Sequence, residues 1–348
     1  MANNIDIYSW ESLTAAVNKI APVNTFLLNT VFKTVVTHNS DKVLVEIFTG
    51  KQKLARFVNK NEGPQLISKK APYTETVTLP RIYEAKNFTA DELASLKDTA
   101  GGVYAGSPQD VISASERRKL LEMADLNDRL TRRIEQMAAI GLSTGSITVS
   151  QSNVDFTINF HYNTDQHLKT LSGADLWSAS TAKIVQNIRT WKRQIFQLTG
   201  KNANICLLGT TAASYFINND KILSLLDNWN TKVGTMDLNQ NISLGAAYLG
   251  RIFGIDFYEY SLPYVDDDNA EQEAFAANRA VLLAADENFR QHYGPIYRIS
   301  DNGTLTILNN KYLAPFVDER KTTLEWSLES KPLPAVHNPD QVVSAVVC

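Results

Sequence analysis

Residues 113–140 constrain this chain more than any other stretch. Leu120, Met123, Leu130, Ile134 and Met137 recur on one helical stripe. Ser113 and Glu116 stand as a capping box, and Gly141 reads as the C-terminal stop. Asp125 with Arg129, and Asp128 with Arg132, are spaced for i,i+4 pairing. At 1.5 Å per residue the rod is roughly 40 Å long. A helix with one apolar stripe and charge elsewhere serves as a backbone for a sheet to lie against, with its other faces open to neighbours.

The remaining pattern mixes helix and strand without a regular β-α alternation, which argues for an α+β fold rather than a doubly wound sheet. Trp10, Leu13, Val17 and Ile20 predict a short helix, with Ser9 as its cap and Pro22 as its stop. The apolar Phe26-Leu27-Leu28 with Val31-Phe32 must pack against something. Residues 42–48 and 73–82 read as strands. Residues 147–149 and 154–160 read as a hairpin in which Val154, Phe156, Ile158 and Phe160 alternate with polar residues. A second helix, 180–198, carries Ile184, Ile188, Trp191, Ile195 and Leu198 on one face and ends at Gly200. Further strands are expected at 204–208, 254–260, 279–284, 322–329 and 342–347. Short helices are expected at 211–218 and 221–228.

Two connections carry unbalanced charge. Between the first two strands lie Lys51, Lys53, Arg56, Lys60, Lys69 and Lys70 against Glu62 and Glu75. Two readings fit this stretch: a solvated loop, or a long β-hairpin that lies on a neighbouring subunit. Farther on, Asp266, Asp267 and Asp268 with Glu271 and Glu273 form an acidic loop. That loop is either solvated or a docking surface for a basic partner. It lacks the ligand spacing and turn glycine of a calcium-binding loop.

Length and composition narrow the class. The chain has 348 residues, enough for two or more packed units. Its 44% hydrophobic content, net charge of -3 and mean hydropathy of -0.21 are those of a globular protein, and no apolar run is long enough for a membrane helix. No signal peptide is expected at the N-terminus. Cys206 and Cys348 form no disulfide framework, which points to a reducing compartment. Without a basic excess, sequence-specific DNA binding is not expected.

Motifs for chemistry fail on context. Gly141-Leu142-Ser143-Thr144-Gly145 matches G-x-S-x-G, but the hydrolase motif needs a strand before the serine and a helix after it. Here the order is reversed. Gly50-Lys51 and Gly200-Lys201 lack the rest of a phosphate loop. The five histidines, His38, His161, His167, His292 and His337, have no metal-type spacing, and no C-x-x-C occurs. No catalytic, cofactor-binding or metal-ligating residue is assigned.

The series of elements, taken in order, resembles the major capsid proteins of lambda-like tailed phages, the capsid protein E family. The resemblance rests on Pro22 to Leu28, on the basic region 48–76 with its Val77-Thr78-Leu79-Pro80 return, and on the charged helix with Glu116-Arg117-Arg118. It continues through Leu324-Glu325-Trp326-Ser327, Pro332 to Val336 and Asn338-Pro339-Asp340, closing on a valine-rich strand.

The resemblance implies the Hong Kong 97-type tailed-phage capsid fold. Its parts would be an N-terminal arm (1–46), an extended hairpin loop (47–77), a peripheral domain with the spine helix (78–176 and 296–348) and an axial domain (177–295). It further implies a non-enzymatic protein that self-assembles into pentamers and hexamers of an icosahedral head in the bacterial cytoplasm. The head would enclose double-stranded DNA, contacted non-specifically. A decoration protein, a scaffold and a portal are the further partners the family brings; no membrane is involved. Charge pairing between Lys51, Lys53, Arg56 and Lys60 and the acidic Asp266, Asp267 and Asp268 of a neighbour is the expected subunit contact. Two alternatives stand beside this reading: an encapsulin-like compartment shell, and a hydrolase using Ser143.

Overall fold

The computed structural model describes residues 25–47, 73–94, 108–151, 154–226, 234–236, 242–243, 245–265, 270–299, 303–318 and 322–348. Six helices are seen among them: α1 (Phe26–Thr30), α2 (Ala90–Ala94), α3 (Pro108–Thr144), α4 (Ile184–Thr199), α5 (Thr210–Ile217) and α6 (Asp220–Leu226).

The centre of the fold is an eight-stranded sheet. Its core is Ile205–Leu208, paired parallel to Ile255–Tyr260 on one side and antiparallel to Arg279–Leu283 on the other. Arg279–Leu283 pairs in turn with Val342–Val346, which runs parallel to Leu168–Thr170 at the edge. All four residues of Ile205–Leu208 are buried, and the reason is that both faces of the sheet are covered. Ile205, Leu207, Val281, Leu283 and Val342 belong to one apolar cluster with Met123, Leu130, Ile134 and Met137 of α3. Cys206, Leu208, Ala280, Leu282 and Val343 belong to a second, with Ile188, Trp191 and Ile195 of α4 and Phe216 of α5. The result is a helix–sheet–helix sandwich whose two cores meet through alternate residues of the same strands.

The spine helix α3 is longer than the sequence pattern predicts. It starts at Pro108, a residue whose missing N–H does no harm in a first turn, and Ser113 falls inside it rather than at its cap. Gly141 is not its stop. The helix runs through Gly141 to Thr144, and Gly145, at φ 75°, supplies the left-handed turn, its N–H donating to the Gly141 carbonyl. Gly141 is there for space: a Cβ on it would sit 3.0 Å from the Phe160 ring and 3.2 Å from Ile147, where the hairpin of Ser146–Gln151 and Val154–Asn159 folds back. Leu120, expected on the buried stripe, is exposed, while Met123, Leu126, Leu130, Ile134 and Met137 are buried.

A three-stranded antiparallel sheet, Lys311–Val317, Thr323–Ser330 and Ile82–Thr89, lies along α3. Charge joins the two. Lys86 donates to Glu122 and Asp125 of the helix, and Arg129 of the helix donates to Glu84. Lys311, largely buried, donates to Asn127 Oδ1 at 2.7 Å. Asp125 and Arg129 therefore spend their hydrogen bonds across the interface instead of on each other. The expected strand over 73–82 is two strands, Tyr73–Thr78 and Ile82–Thr89, separated by Leu79, Pro80 and Arg81. A third sheet pairs Thr34–Thr37 parallel to Phe289–Tyr293, which pairs antiparallel to Pro332–Val336.

Helix α4 has the apolar face that its sequence predicts: Ile184, Ile188, Trp191, Ile195 and Leu198 are all buried. Gly200 at φ 73° ends it. It begins four residues later than expected, at Ile184. No helix among the described residues is long and apolar enough to cross a membrane.

Candidate functional site: charged connections and buried polar clamps

The charged residues singled out in the sequence, Lys51, Lys53, Arg56, Lys60, Asp266, Asp267 and Asp268, lie outside the described residues, as does the expected first helix. What is described is the strands that carry them. Lys42–Ile47 and Tyr73–Thr78 pair antiparallel from Lys42↔Thr78 to Ile47↔Tyr73, so the basic run connects two paired strands. Val43, Val45 and Ile47 point into the core while Lys42, Leu44 and Glu46 face out. The acidic run likewise connects an antiparallel pair, Pro263–Val265 with Glu271–Glu273, whose outer strand is fully exposed.

Ser143 is not placed for catalysis. It sits in the last turn of α3, and its hydroxyl donates to Ile140 O of its own helix. Its carbonyl accepts from Arg279 Nη1 and from Ser344 Oγ, so this corner is a helix end closed by an arginine and a serine from the central sheet.

Two buried polar groups hold the short helix α1, which is too brief to persist alone. Glu135, on the inner face of α3, has no exposed surface. Its carboxylate accepts from Leu27 N–H at 2.7 Å, Leu28 N–H at 3.1 Å and the Tyr260 hydroxyl at 3.1 Å. Burial pushes its pKa up to about 7, against three donors that favour the charged form. At the other end, Gln291 Nε2 donates to the carbonyls of Leu28 and Phe32, and the Tyr293 hydroxyl donates to Gln291 Oε1. Both ends of the segment are thus tied to the body, and Phe26 packs against Tyr258 and Tyr260.

A third group is a row of histidines. His38 Nε2 lies 2.8 Å from His292 Nδ1, and His292 Nε2 lies 2.8 Å from His337 Nε2. His337 Nδ1 lies 2.8 Å from the Glu46 carbonyl. A carbonyl only accepts, so His337 donates through Nδ1 and accepts through Nε2. His292 then donates through Nε2 and accepts from His38. All three rings fit as neutral tautomers with every hydrogen bond satisfied. Burial lowers the pKa of each ring, that of His292 to about 3, with the neighbouring rings and Arg290 adding to the effect on His292. Glu46 opposes this at His337.

A fourth is Glu329, nearly buried, which accepts from Arg81 at 2.6 Å and from Arg298. Arg298 lies over the Tyr312 ring at 4.9 Å. The sequence offers the three histidines only singly and none of these groups as a set, because each is assembled from residues far apart in the chain. Among the described residues no group of three or more His, Cys, Asp or Glu side chains is arranged to hold a metal ion. What the arrangement does is fasten: each polar centre joins segments from distant parts of the chain.

Solved structures that superpose on this fold include capsid proteins. A protein described as a prophage capsid protein of E. coli CFT073 superposes with a TM-score of 0.72 at 14% identity, covering 97% of this chain and 98% of that one. A phage-related protein from Bordetella bronchiseptica RB50 gives 0.55 at 11% identity, covering 96% and 95%. A subunit of the bacteriophage PhiM1 mature capsid gives 0.50 at 9% identity, covering 90% and 84%. The architecture is the Hong Kong 97-type capsid fold.

The profile of the family described as phage major capsid protein E matches residues 9–347, and the chain belongs to that family. It is a major capsid protein, a structural component of the phage virion and not an enzyme; its copies associate with one another in a capsid lattice. No individually curated protein sequence matches the chain.

Proposed function

We propose that the chain forms pentamers and hexamers of an icosahedral head that encloses double-stranded DNA, and that the head is assembled in the bacterial cytoplasm. In this reading residues 1–46 are an N-terminal arm and 47–77 an extended loop. Residues 78–176 with 296–348 form the peripheral domain, and 177–295 the axial domain. This division places α3 in the peripheral domain and α4 in the axial one; the two apolar clusters run across it, and strands 168–170 and 342–346 share the central sheet with strands 205–208 and 279–283.

The subunit contact proposed is electrostatic at its start and apolar in its adhesion. Lys51, Lys53, Arg56 and Lys60 of one copy dock near Asp266, Asp267 and Asp268 of another. The observation that carries this is that each charged run connects an antiparallel strand pair. Exposed pairs contribute about 0–1 kcal/mol each, so they orient copies rather than hold them. A scaffold, a portal and a decoration protein are further partners of such a head.

Reversing Lys51, Lys53 and Arg56 to Glu is expected to reduce the yield of closed shells, read on a sucrose gradient with negative-stain electron microscopy. Adding Asp266→Lys, Asp267→Lys and Asp268→Lys is expected to restore it. Unchanged yield in the first variant would refute the contact. Purified particles holding a protein cargo and no DNA would instead favour a compartment shell.

A further inference from the structure

The outer face of α4 is charged in one sign only. Residues 183–202 contain Lys183, Arg189, Lys192, Arg193 and Lys201 and not one Asp or Glu, in a chain whose net charge is -3. Three of the five are engaged: Lys201 pairs with Asp286, Lys192 donates to the Phe253 carbonyl at 2.6 Å, and Arg189 lies over the Phe253 ring at 5.9 Å. Lys183, Arg189 and Arg193 are exposed and line a groove with Lys221 of α6. None of these four cations has an ion-pair partner among the described residues. The nearest carboxylates in sequence, Asp175 and Asp220, do not line the groove. The rest of its wall is Gln186 and Thr190, with Val185 as its one aliphatic residue.

Two kinds of partner carry negative charge here, an acidic surface of another copy and a nucleic acid. A protein interface of useful strength needs a charge-poor apolar centre with aromatic or aliphatic anchors. This groove has one aliphatic residue and four cations; the aromatic Phe196 and Phe253 line the adjoining hollow, beside Arg189 and Arg193, and not the groove itself. Long cations beside amide and hydroxyl groups are the set that bonds phosphate oxygens without reading sequence. Arg189 and Arg193 are one helical turn apart on the same face, so both reach one backbone.

We propose that the α4–α6 groove, through Lys183, Arg189, Arg193 and Lys221, binds the phosphate backbone of the duplex DNA that the head encloses, and that this face of the central sandwich is the inner one. The inference rests on the reading of the chain as the wall of a DNA-filled head. Binding through four cations releases counterions, so the affinity for DNA falls with salt with a log–log slope of about 3.6.

The test uses the full-length chain as unassembled subunits and a fluorescent random-sequence duplex, with binding measured by anisotropy across a salt series. Shell formation is followed in parallel by electron microscopy. Arg189→Gln with Arg193→Gln and Lys221→Gln is expected to lower the slope by about 3, one for each cation removed, while shells still form. Arg193→Lys keeps the charge and is expected to keep the slope. If the triple variant does not fold, Arg189→Gln and Lys221→Gln are read singly, each expected to lower the slope by about 1. An unchanged slope, or no DNA binding by the parent chain at low salt, overturns the proposal and leaves the shell reading standing. Loss of shells with an unchanged slope also overturns it and assigns the groove to a neighbouring copy. Failure of the parent chain to form shells under any condition counts against the shell reading, whereas the slope still reports on the groove.

Discussion

At the scale of single residues the molecule is organised by buried groups whose charge state is set by burial. Glu135 ionises near pH 4.5 when unfolded and near 7 when folded. Its folded state therefore favours the proton. This contribution is fully present below about pH 4.5, is lost as pH rises toward 7, and amounts to roughly 3 kcal/mol at most. Glu135→Gln cannot ionise, so it is expected to remove this part of the pH dependence, read as the difference in thermal midpoint between pH 5 and pH 8. It also turns an amide donor toward Leu27 or Leu28 N–H, which costs about 1–3 kcal/mol at every pH. A variant that keeps the parent's full pH dependence would show that Glu135 is not its source. The histidine row acts in the opposite sense. Its rings are held neutral, so its contribution is present above about pH 6.5 and is lost as pH falls through the lowered folded values. His292→Gln is expected to flatten the loss of stability between pH 6.5 and 4, measured by thermal melting; a parent-like acid limb would refute that role.

At the scale of elements, what the sequence reveals is what is periodic. The α4 stripe and its Gly200 stop follow from spacing alone, since each depends on residues within one or two turns. The spine helix was legible as an element but not at its ends: Gly141 looks like a stop until the Phe160 ring is known to press against it. The strands Ala246–Ile252, Phe289–Tyr293 and Lys311–Val317 were not anticipated. Their apolar and polar residues do not alternate cleanly, because coverage changes along each strand. The polar clamps were illegible for a different reason. Glu135 is one charge among many on α3, and His38, His292 and His337 meet only through tertiary pairing. The two faces of α4 yield a contrast. Trp191→Ala, on the buried face, is expected to cost about 3–5 kcal/mol in chemical denaturation. Arg193→Ala, on the outer face, is expected to change stability by less than about 0.5 kcal/mol. Equal costs would mean that the outer face is not free.

At the scale of the whole molecule the two cores are not independent, because they share strands. Leu207 faces the cluster around α3 and Leu208 the cluster around α4, one residue apart. Scanning calorimetry of the unassembled chain is expected to show one cooperative transition. Leu207→Ala and Leu208→Ala should each lower that same transition, by about 2–5 kcal/mol. Two resolved transitions, each sensitive to only one of the substitutions, would show that the layers unfold separately.

The sandwich of α3, central sheet and α4 also has a mechanical consequence. When a plate with three bonded layers flexes, one outer layer shortens, the other lengthens and the middle one keeps its length. Here the layer that keeps its length is the hydrogen-bonded sheet, and the layers that change are helices, whose side-chain contacts slide by small amounts without breaking a backbone ladder. A wall tiled from such plates changes curvature through the packing of α3 and α4 on the sheet, with the sheet itself unstrained.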